Sequence, residues 1–430
     1  MPASPSTARA INDRLALRLL QDEGPLTAGQ LKELTGLSRP TVADLVERLA
    51  ASGLIEVVGE TGAQRRGPNA RVYGIVAGRA QLAALDVRTE GVTVVVSDLL
   101  GRVLAEASAP IGDDAGTGPA VEQAVTLVER AVKEAGADRL HTVGIGAPGL
   151  IDPASGELRV SSGLPAWHRR LVAALQERLP EARVSVENET NLAALAEQHA
   201  GAARDRDTFV LLWLGHGTGA AVVLDGALRR GASGGTGEIG FLPVPGTGAL
   251  PSARDCEGGF HSLAGSAAIV ELAGECGVPA AARGEVWAAA AGEPDAAALV
   301  RWAVAAVGER SGGPEAEAPQ AADLAGSQVA VRFLDVLADR VAIGVASVVA
   351  VLDPGCVVLG GEVGQAGGEA LAARVAERLR RMAPLPTEVR PGTLGGGAVL
   401  HGALLTARQS AQGELFGATP EARRGRSRAR

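Results

Sequence analysis

LTAGQLKELTGLSRPTVADLVERLAASGLI, residues 26–55, is the stretch that decides the first domain. Thr27 and Gln30 have the spacing of a capping box, in which each side chain bonds the other's backbone N–H, so a helix begins there. Leu31 and Leu34 give that helix its apolar face. Gly36 breaks it, and Leu37 can fill the turn. Ser38 caps a further helix, with Pro40 in its first turn, where backbone N–H groups lack helical partners in any case. Val42, Leu45, Val46 and Leu49 fall at i, i+3, i+4 and i+7 and form one apolar stripe. Ser52-Gly53 ends the helix. Upstream, Ile11, Leu15 and Leu19 recur every four residues and predict a preceding helix with these three on one face.

Two short helices across a tight glycine turn are the pattern of a helix-turn-helix. The second of them opens with Ser38, Arg39, Pro40 and Thr41 and carries Arg48 further along. Those side chains are the ones a recognition helix presents to base edges and phosphates. Residues 54–60 (LIEVVGE) and 70–76 (ARVYGIV) then read as two strands around TGAQRRGPN, whose tip holds Gln64, Arg65 and Arg66. A basic-tipped hairpin in that place is a wing, suited to phosphate or minor-groove contact. Residues 1–78 are thus expected to be a winged helix-turn-helix that binds double-stranded operator DNA.

Composition bounds the rest. The chain has 430 residues, enough for two or three cores, and 46% of them are hydrophobic. No apolar run reaches the ~18–20 residues that span a bilayer; the longest candidate, 341–352, stops at Asp353. The opening MPASPSTARAINDR lacks the apolar run of a signal peptide. These features predict a cytoplasmic protein with no membrane partner. Cys256, Cys276 and Cys356 lie far apart without a CxxC, which argues against a disulfide framework or a cysteine-built zinc site. Net charge is −8: residues 1–80 carry ten basic against eight acidic side chains, the remainder 31 against 41. That asymmetry is too weak to carry a DNA argument, so pattern carries it. Only Lys32 and Lys133 are lysines, and the arginine abundance reads as the codon bias of a GC-rich genome.

From residue 80 the text alternates Gly-rich apolar runs with helical segments, an α/β pattern. Residues 81–104 read as two strands and the start of a third. HTVGIGAPGLIDPASGELRV is a strand, a Gly-Pro turn and a hairpin. VSVENETNLAALAEQHAG is a strand running into a helix. TFVLLWLGHGTGAAVVLDGAL is a hairpin around Gly215, Gly217 and Gly219, and ASVVAVLDPGCVVLGGEVGQAGG a helix, a strand and a Gly-rich turn. Residues 309–322 are expected to be a flexible loop. The last stretch, ARRGRSRAR, concentrates five arginines, and residues 409–430 are expected to be a disordered basic tail.

VGIGAPGLID, VENETNLAALAE, LGHGTGAAVVLDGALRRGASGGTGEIG and LDPGCVVLGG, in that order behind a winged helix-turn-helix, resemble the ROK family, which unites bacterial sugar kinases with transcription repressors. The resemblance spans nearly the whole chain. It implies an α/β fold with two lobes of the actin/hexokinase-like (ribonuclease H-like) type around a cleft. The first lobe would take residues 79–200 with a C-terminal helix near 395–408, and the second residues 201–394.

Departures from the family pattern set the functional expectation. A kinase of this fold opens with an Asp, a glycine pair and Thr, whose backbone approaches ATP phosphates; here the stretch is Asp86-Val87-Arg88-Thr89-Glu90. The family's catalytic base is an Asp after Asn; here Asn188 precedes Glu189, one methylene longer. Phe241 replaces a zinc-binding and sugar-binding His after Glu238-Ile239-Gly240. Of the family's cysteine cluster only Cys256 remains, with a displaced His261. Gly163 replaces an Asn that contacts sugar, and Ser262 a Glu. No catalytic residue, metal or cofactor is therefore expected. Gly163, Asn188, Glu189, Glu238 and Phe241 are the candidate ligand-binding residues, and a role as fold relics, with Asn188 capping the next helix, stays open beside it. The same two readings stay open for Gly215 to Gly219 and Gly360-Gly361. The leading expectation is a homodimeric or homotetrameric transcription regulator, a repressor of carbohydrate-related or other metabolic genes, gated by a sugar-like effector between the lobes. A sugar kinase with an accessory DNA-binding domain and an effector-free regulator are the alternatives.

Overall fold

The structure, a computed structural model, describes residues 5–60, 70–89, 91–112, 116–159, 165–252, 257–279, 293–308 and 321–417. The chain opens with α1 (Pro5–Asp22), β1 (Leu26–Thr27), α2 (Ala28–Thr35), α3 (Arg39–Ala51), β2 (Ile55–Glu60) and β3 (Arg71–Ile75), the strands forming an antiparallel sheet in the order β1-β3-β2. The capping box is present: the Thr27 N–H donates to Gln30 Oε1 at 2.9 Å, and the Gln30 N–H to Thr27 Oγ1 at 3.2 Å. Gly36 ends α2 with φ 68°, a left-handed conformation that costs glycine nothing. Ser38 Oγ accepts the Thr41 N–H at 3.4 Å, and Val42, Leu45, Val46 and Leu49 are all buried. Together these make the expected winged helix-turn-helix.

Two faces differ from the sequence expectation. Ile11 and Leu15 on α1 are 51% and 38% exposed; Ala16, Leu17 and Leu20 are the residues that enter the core. Both sets have helical spacing, and periodicity alone does not say which stripe meets the other helices. On α2, Leu31 is buried but Leu34 is exposed. The wing tip, with Gln64, Arg65 and Arg66, lies outside the described residues.

The winged domain is seated directly on the first lobe. Its apolar core, which includes Leu17, Leu45 and Ile75, continues into Ala80, Leu82, Leu99 and Ala411. The first lobe holds β4 (Gln81–Arg88), β5 (Gly91–Asp98), β6 (Val103–Pro110), β7 (Thr142–Ala147) and β8 (Arg183–Asn188) in the order β6-β5-β4-β7-β8. β4 pairs antiparallel with β5 and parallel with β7. α4 (Thr117–Glu134) and α5 (Trp167–Arg178) contribute Ala124, Val128, Leu171 and Leu175 to the core on one face. α6 (Glu189–Ala200) shares the other face's core, through Leu192, with Ala84 and Val95.

The second lobe repeats this plan. β9 (Phe209–Leu214), β10 (Thr218–Leu224), β11 (Ala227–Arg229), β12 (Cys356–Gly360) and β13 (Glu388–Pro391) form a sheet in the order β11-β10-β9-β12-β13, again three antiparallel strands continued by parallel ones. α7 (His261–Ala264), α8 (Ser266–Cys276), α9 (Asp295–Gly308), α10 (Ala321–Leu352) and α11 (Gly361–Met382) complete it. α12 (Ala398–Leu415) then returns to the first lobe and packs on α6, β4 and β7. Two such sheets, each a three-strand meander followed by parallel strands, make the expected actin/hexokinase-like architecture.

Three local differences follow from packing. The Gly-rich GGEVGQAGG is the start of α11 rather than a turn, interrupted only at Gly368 (φ 47°). Gly361 needs its glycine, since a Cβ there would sit 2.3 Å from Leu214 O. α10 begins at residue 321, inside the stretch expected to be loop, and residues 309–320 lie outside the described residues. α12 runs on to Leu415, beyond the 395–408 expected, because Ala407 and Ala411 are buried along it; residues 418–430 lie outside the described ones. Among the described residues no helix is long and apolar enough to cross a membrane.

Candidate DNA interface and interlobe cleft

The N-terminal turn of α3 presents Arg39 and Pro40 to solvent, with Ser38 exposed while it caps and Thr41 half-buried beside it. The first N–H groups of α3 emerge at the same place and add positive potential. Arg48 has another role than the one expected of it. It bonds Asp13 Oδ1 on α1 at 2.6 Å and also pairs with Asp44, so two carboxylates neutralise it and tie α3 to α1.

Between the lobes lies a cavity of about 250 Å³ lined by Asp86, Arg88, Glu189, Trp213, His216 and Glu362, among others. Arg88, at the end of β4, reaches across it. Its Nε bonds Asp86 Oδ2 at 3.0 Å, Nη1 bonds Glu362 Oε1 in the second lobe at 2.8 Å, and Nη2 donates to Gly396 O at 3.1 Å. Every guanidinium nitrogen is thus engaged in the place where the kinase pattern would bring backbone toward phosphate. Behind it, the imidazole Nε2 of His168 lies 3.2 Å from Arg88 O and donates to it. Burial holds His168 down to about 4, so the ring is neutral at physiological pH.

Glu189 begins α6 and points into the cavity. Burial, reinforced by the carboxylates of Glu238, Asp86 and Glu362, pushes its carboxyl up to about 8. At pH 7 roughly ten protonated carboxyls stand for each ionised one. Burial likewise raises Asp86, against the opposing pull of Arg88. The cleft therefore offers hydrogen-bonding carboxyl groups and an indole, with the Arg88 guanidinium already bonded.

Two of the expected ligand residues sit against Glu189: Asn188 Nδ2 bonds its Oε2 at 2.7 Å, and the Glu238 carboxylate is near enough to help raise its carboxyl. Glu189 lines the cavity, and Asn188, Glu238 and Phe241 are not part of its lining. Asn188 is consumed by the backbone: its Oδ1 accepts the N–H groups of Thr190 (2.9 Å) and Asn191 (3.2 Å), and its Nδ2 donates to Gly149 O and Glu189 Oε2. That is the helix-capping role. Glu238 is exposed and precedes a short turn of 3-10 helix, 239–241, that carries Phe241. Gly163 lies outside the described residues, as does Cys256; Cys276 and Cys356 are buried. Trp213 and Glu362 were not read as cleft residues, and the bridge from Arg88 to Glu362 was not legible, since 274 positions separate the two and no local pattern links them.

This chain belongs to the ROK family, whose model matches residues 83–410, while a MarR family model matches residues 11–67. Over 273 residues it is 28% identical to Escherichia coli proteins named DNA-binding transcriptional dual regulator NagC (strain K12) and N-acetylglucosamine repressor (strain O157:H7). That match covers 61% of this chain and 64% of theirs, so less than two thirds of their length is spanned. A crystal structure of a ROK family transcriptional regulator, a homolog of the E. coli MLC protein, covers 95% of this chain and 98% of its own, with TM-score 0.71 and 21% identity. The ROK hexokinase of Thermus thermophilus covers 77% of this chain and 99% of its own, with TM-score 0.57 and 28% identity. The regulator's likeness extends across the winged domain as well, whereas the hexokinase's covers a smaller share of the chain.

Proposed function

We propose that this protein is a DNA-binding transcriptional repressor of carbohydrate-related genes, and not a sugar kinase. It would bind operator DNA through residues 38–41 and the wing, as a homodimer or homotetramer whose two-fold symmetry matches paired half-sites. A sugar or sugar derivative would bind in the interlobe cleft, against Glu189 and Trp213, and favour one closure state of the lobes. The observation that carries this reading is Arg88. A guanidinium ion-paired with both Asp86 and Glu362 stands where a phosphotransferase of this fold needs glycine backbone around phosphate. An anionic nucleotide would have to displace that bridge and face three carboxyl groups.

The test is a genome-wide map of the sites bound by the full chain, joined to a coupled ATP-turnover assay on common hexoses. Binding upstream of transport or catabolic genes, with no hexose-dependent ATP consumption, is expected. Turnover lost on Glu189→Ala, or the absence of discrete genomic sites, would overturn the proposal.

A further inference from the structure

α12 runs from the interlobe cavity to the apolar core that the first lobe shares with the winged domain. Val399, its second residue, lines the interlobe cavity. Toward the other end, Ala411 is fully buried in the core of the winged domain, with Leu415 and Phe416 packed against that core. At 1.5 Å per residue, Val399 and Phe416 stand about 25 Å apart along a single helix with no proline to bend it.

The helix is held at three places. At its crossing with α6 the backbones meet, since a Cβ on Gly402 would fall 2.1 Å from Leu192 O. α6 itself starts at Glu189, so both helices that cross there begin at the cavity. The strap that leads into α12, residues 392–397, is held by Glu197 and Arg88 of the first lobe and, through the Gly392 N–H, by Leu359 O of the second lobe at 2.9 Å. Glu197 on α6 accepts the N–H groups of Thr393 (2.8 Å) and Leu394 (3.0 Å), and Arg88 holds Gly396 O with one arm and Glu362 with another. At the far end, buried Gln412 donates to Leu99 O at 3.1 Å, and Arg408 to Leu100 O at 3.2 Å. Leu99, just after β5 of the first lobe, is fully buried in the core shared with the winged domain, and its N–H bonds Ala77 O at 3.0 Å. Close-packed contacts of this kind transmit displacement rather than absorb it.

We propose that α12 is the mechanical link by which the closure state of the cleft reaches the DNA-binding domain, entering at the 392–397 strap and leaving through Gln412 and Phe416. The inference deepens the effector-gated reading and rests on it for its biological purpose, but the linkage is a property of the free protein and is tested without a ligand.

Peptide-resolved hydrogen exchange on the full chain provides the test, with circular dichroism and melting to show that each variant folds. Val399→Ala widens the cavity at the start of α12. It should change exchange in residues 408–416 and in α3 (39–51) by about fivefold or more, the low end of ordinary coupling between sites. In the Val399→Ala, Gln412→Ala double variant the change in α3 should disappear while that around the cavity stays. A merely structural Gln412 would instead give additive effects. Unchanged exchange in α3 on Val399→Ala, or the same change with and without Gln412, would overturn the linkage. A second arm adds glucose or N-acetylglucosamine to wild type. A sugar that protects 86–89 and 213–217 should also alter α3, and one that protects the cleft and leaves α3 untouched counts against α12. If neither sugar protects the cleft while Val399→Ala behaves as expected, the linkage stands and the effector reading loses its ligand.

Discussion

Glu189→Gln isolates the electrostatics of the cleft. The carboxyl of Glu189 titrates near 8 rather than 4.5, because burial among other carboxylates disfavours the ionised form. A carboxyl whose folded pKa is raised binds its proton more tightly in the native state than in the unfolded one. Stability is then greatest at low pH and falls as pH rises from about 4.5 toward 8. At about 1.4 kcal/mol per unit, the shift is worth ~4–5 kcal/mol above pH 8 in a dry site. Glu189 is only partly buried and faces a cavity, so hydration returns about half of that, leaving ~2 kcal/mol. Glutamine keeps an acceptor for Asn188 Nδ2, which Glu189 Oε2 binds at 2.7 Å, and removes the ionisation. The variant should therefore be more stable than wild type by ~2 kcal/mol at about pH 8.5 and nearly equal to it at about pH 5. With an unfolding entropy near 2 cal/mol/K per residue over roughly 340 residues, this is a rise of about 3 °C in Tm. Scanning calorimetry at the two pH values reads it directly. The same Tm difference at both pH values, or a lower Tm for the variant at the higher pH, would refute the assignment of a neutral carboxyl to the cleft.

Other substitutions probe the packing and the DNA face. Gly402→Ala forces a methyl group into Leu192 O and should cost ~1–3 kcal/mol in melting experiments, whereas Gly413→Ala on the same helix, with nothing within 4 Å, should gain up to ~1 kcal/mol. Ser38→Ala removes the cap of α3 and should cost ~1 kcal/mol of stability in the winged domain, read by chemical denaturation alongside weaker binding to a duplex selected in vitro. Arg39→Ala should flatten the salt dependence of that binding by about one unit of slope. Arg48→Ala should lower stability by up to ~1 kcal/mol and leave the slope unchanged, because its charge is already taken by Asp13 and Asp44.

The sequence alone determined the parts that rest on neighbours along the chain. The Thr27–Gln30 box, the Gly36 turn, the Ser38 cap and the Val42–Leu49 stripe specify α2 and α3, because caps and amphipathic periods act within one or two turns. The order of strands and glycine motifs likewise fixed the two-lobed architecture through its resemblance to a family. What tertiary structure alone decided is which surfaces and side chains meet. Ile11, Leu15 and Leu19 have the spacing of a buried face, yet Ile11 and Leu15 are exposed and Leu19 packs only partly against the core that Ala16, Leu17 and Leu20 enter, since two stripes of one helix compete and packing selects between them. Asn188 stood equally for a ligand and a cap until its amide was seen bonded to Thr190, Asn191 and Gly149. Arg48 looked free for DNA until Asp13, 35 positions away, closed on it. The cleft was the least legible part. Arg88 reads locally as a lost phosphate loop, and only the approach of Glu362 and Gly396 from the far side turns it into a bridge. No short-range rule specifies contacts between residues some three hundred positions apart, because they arise when two independently formed sheets settle against each other.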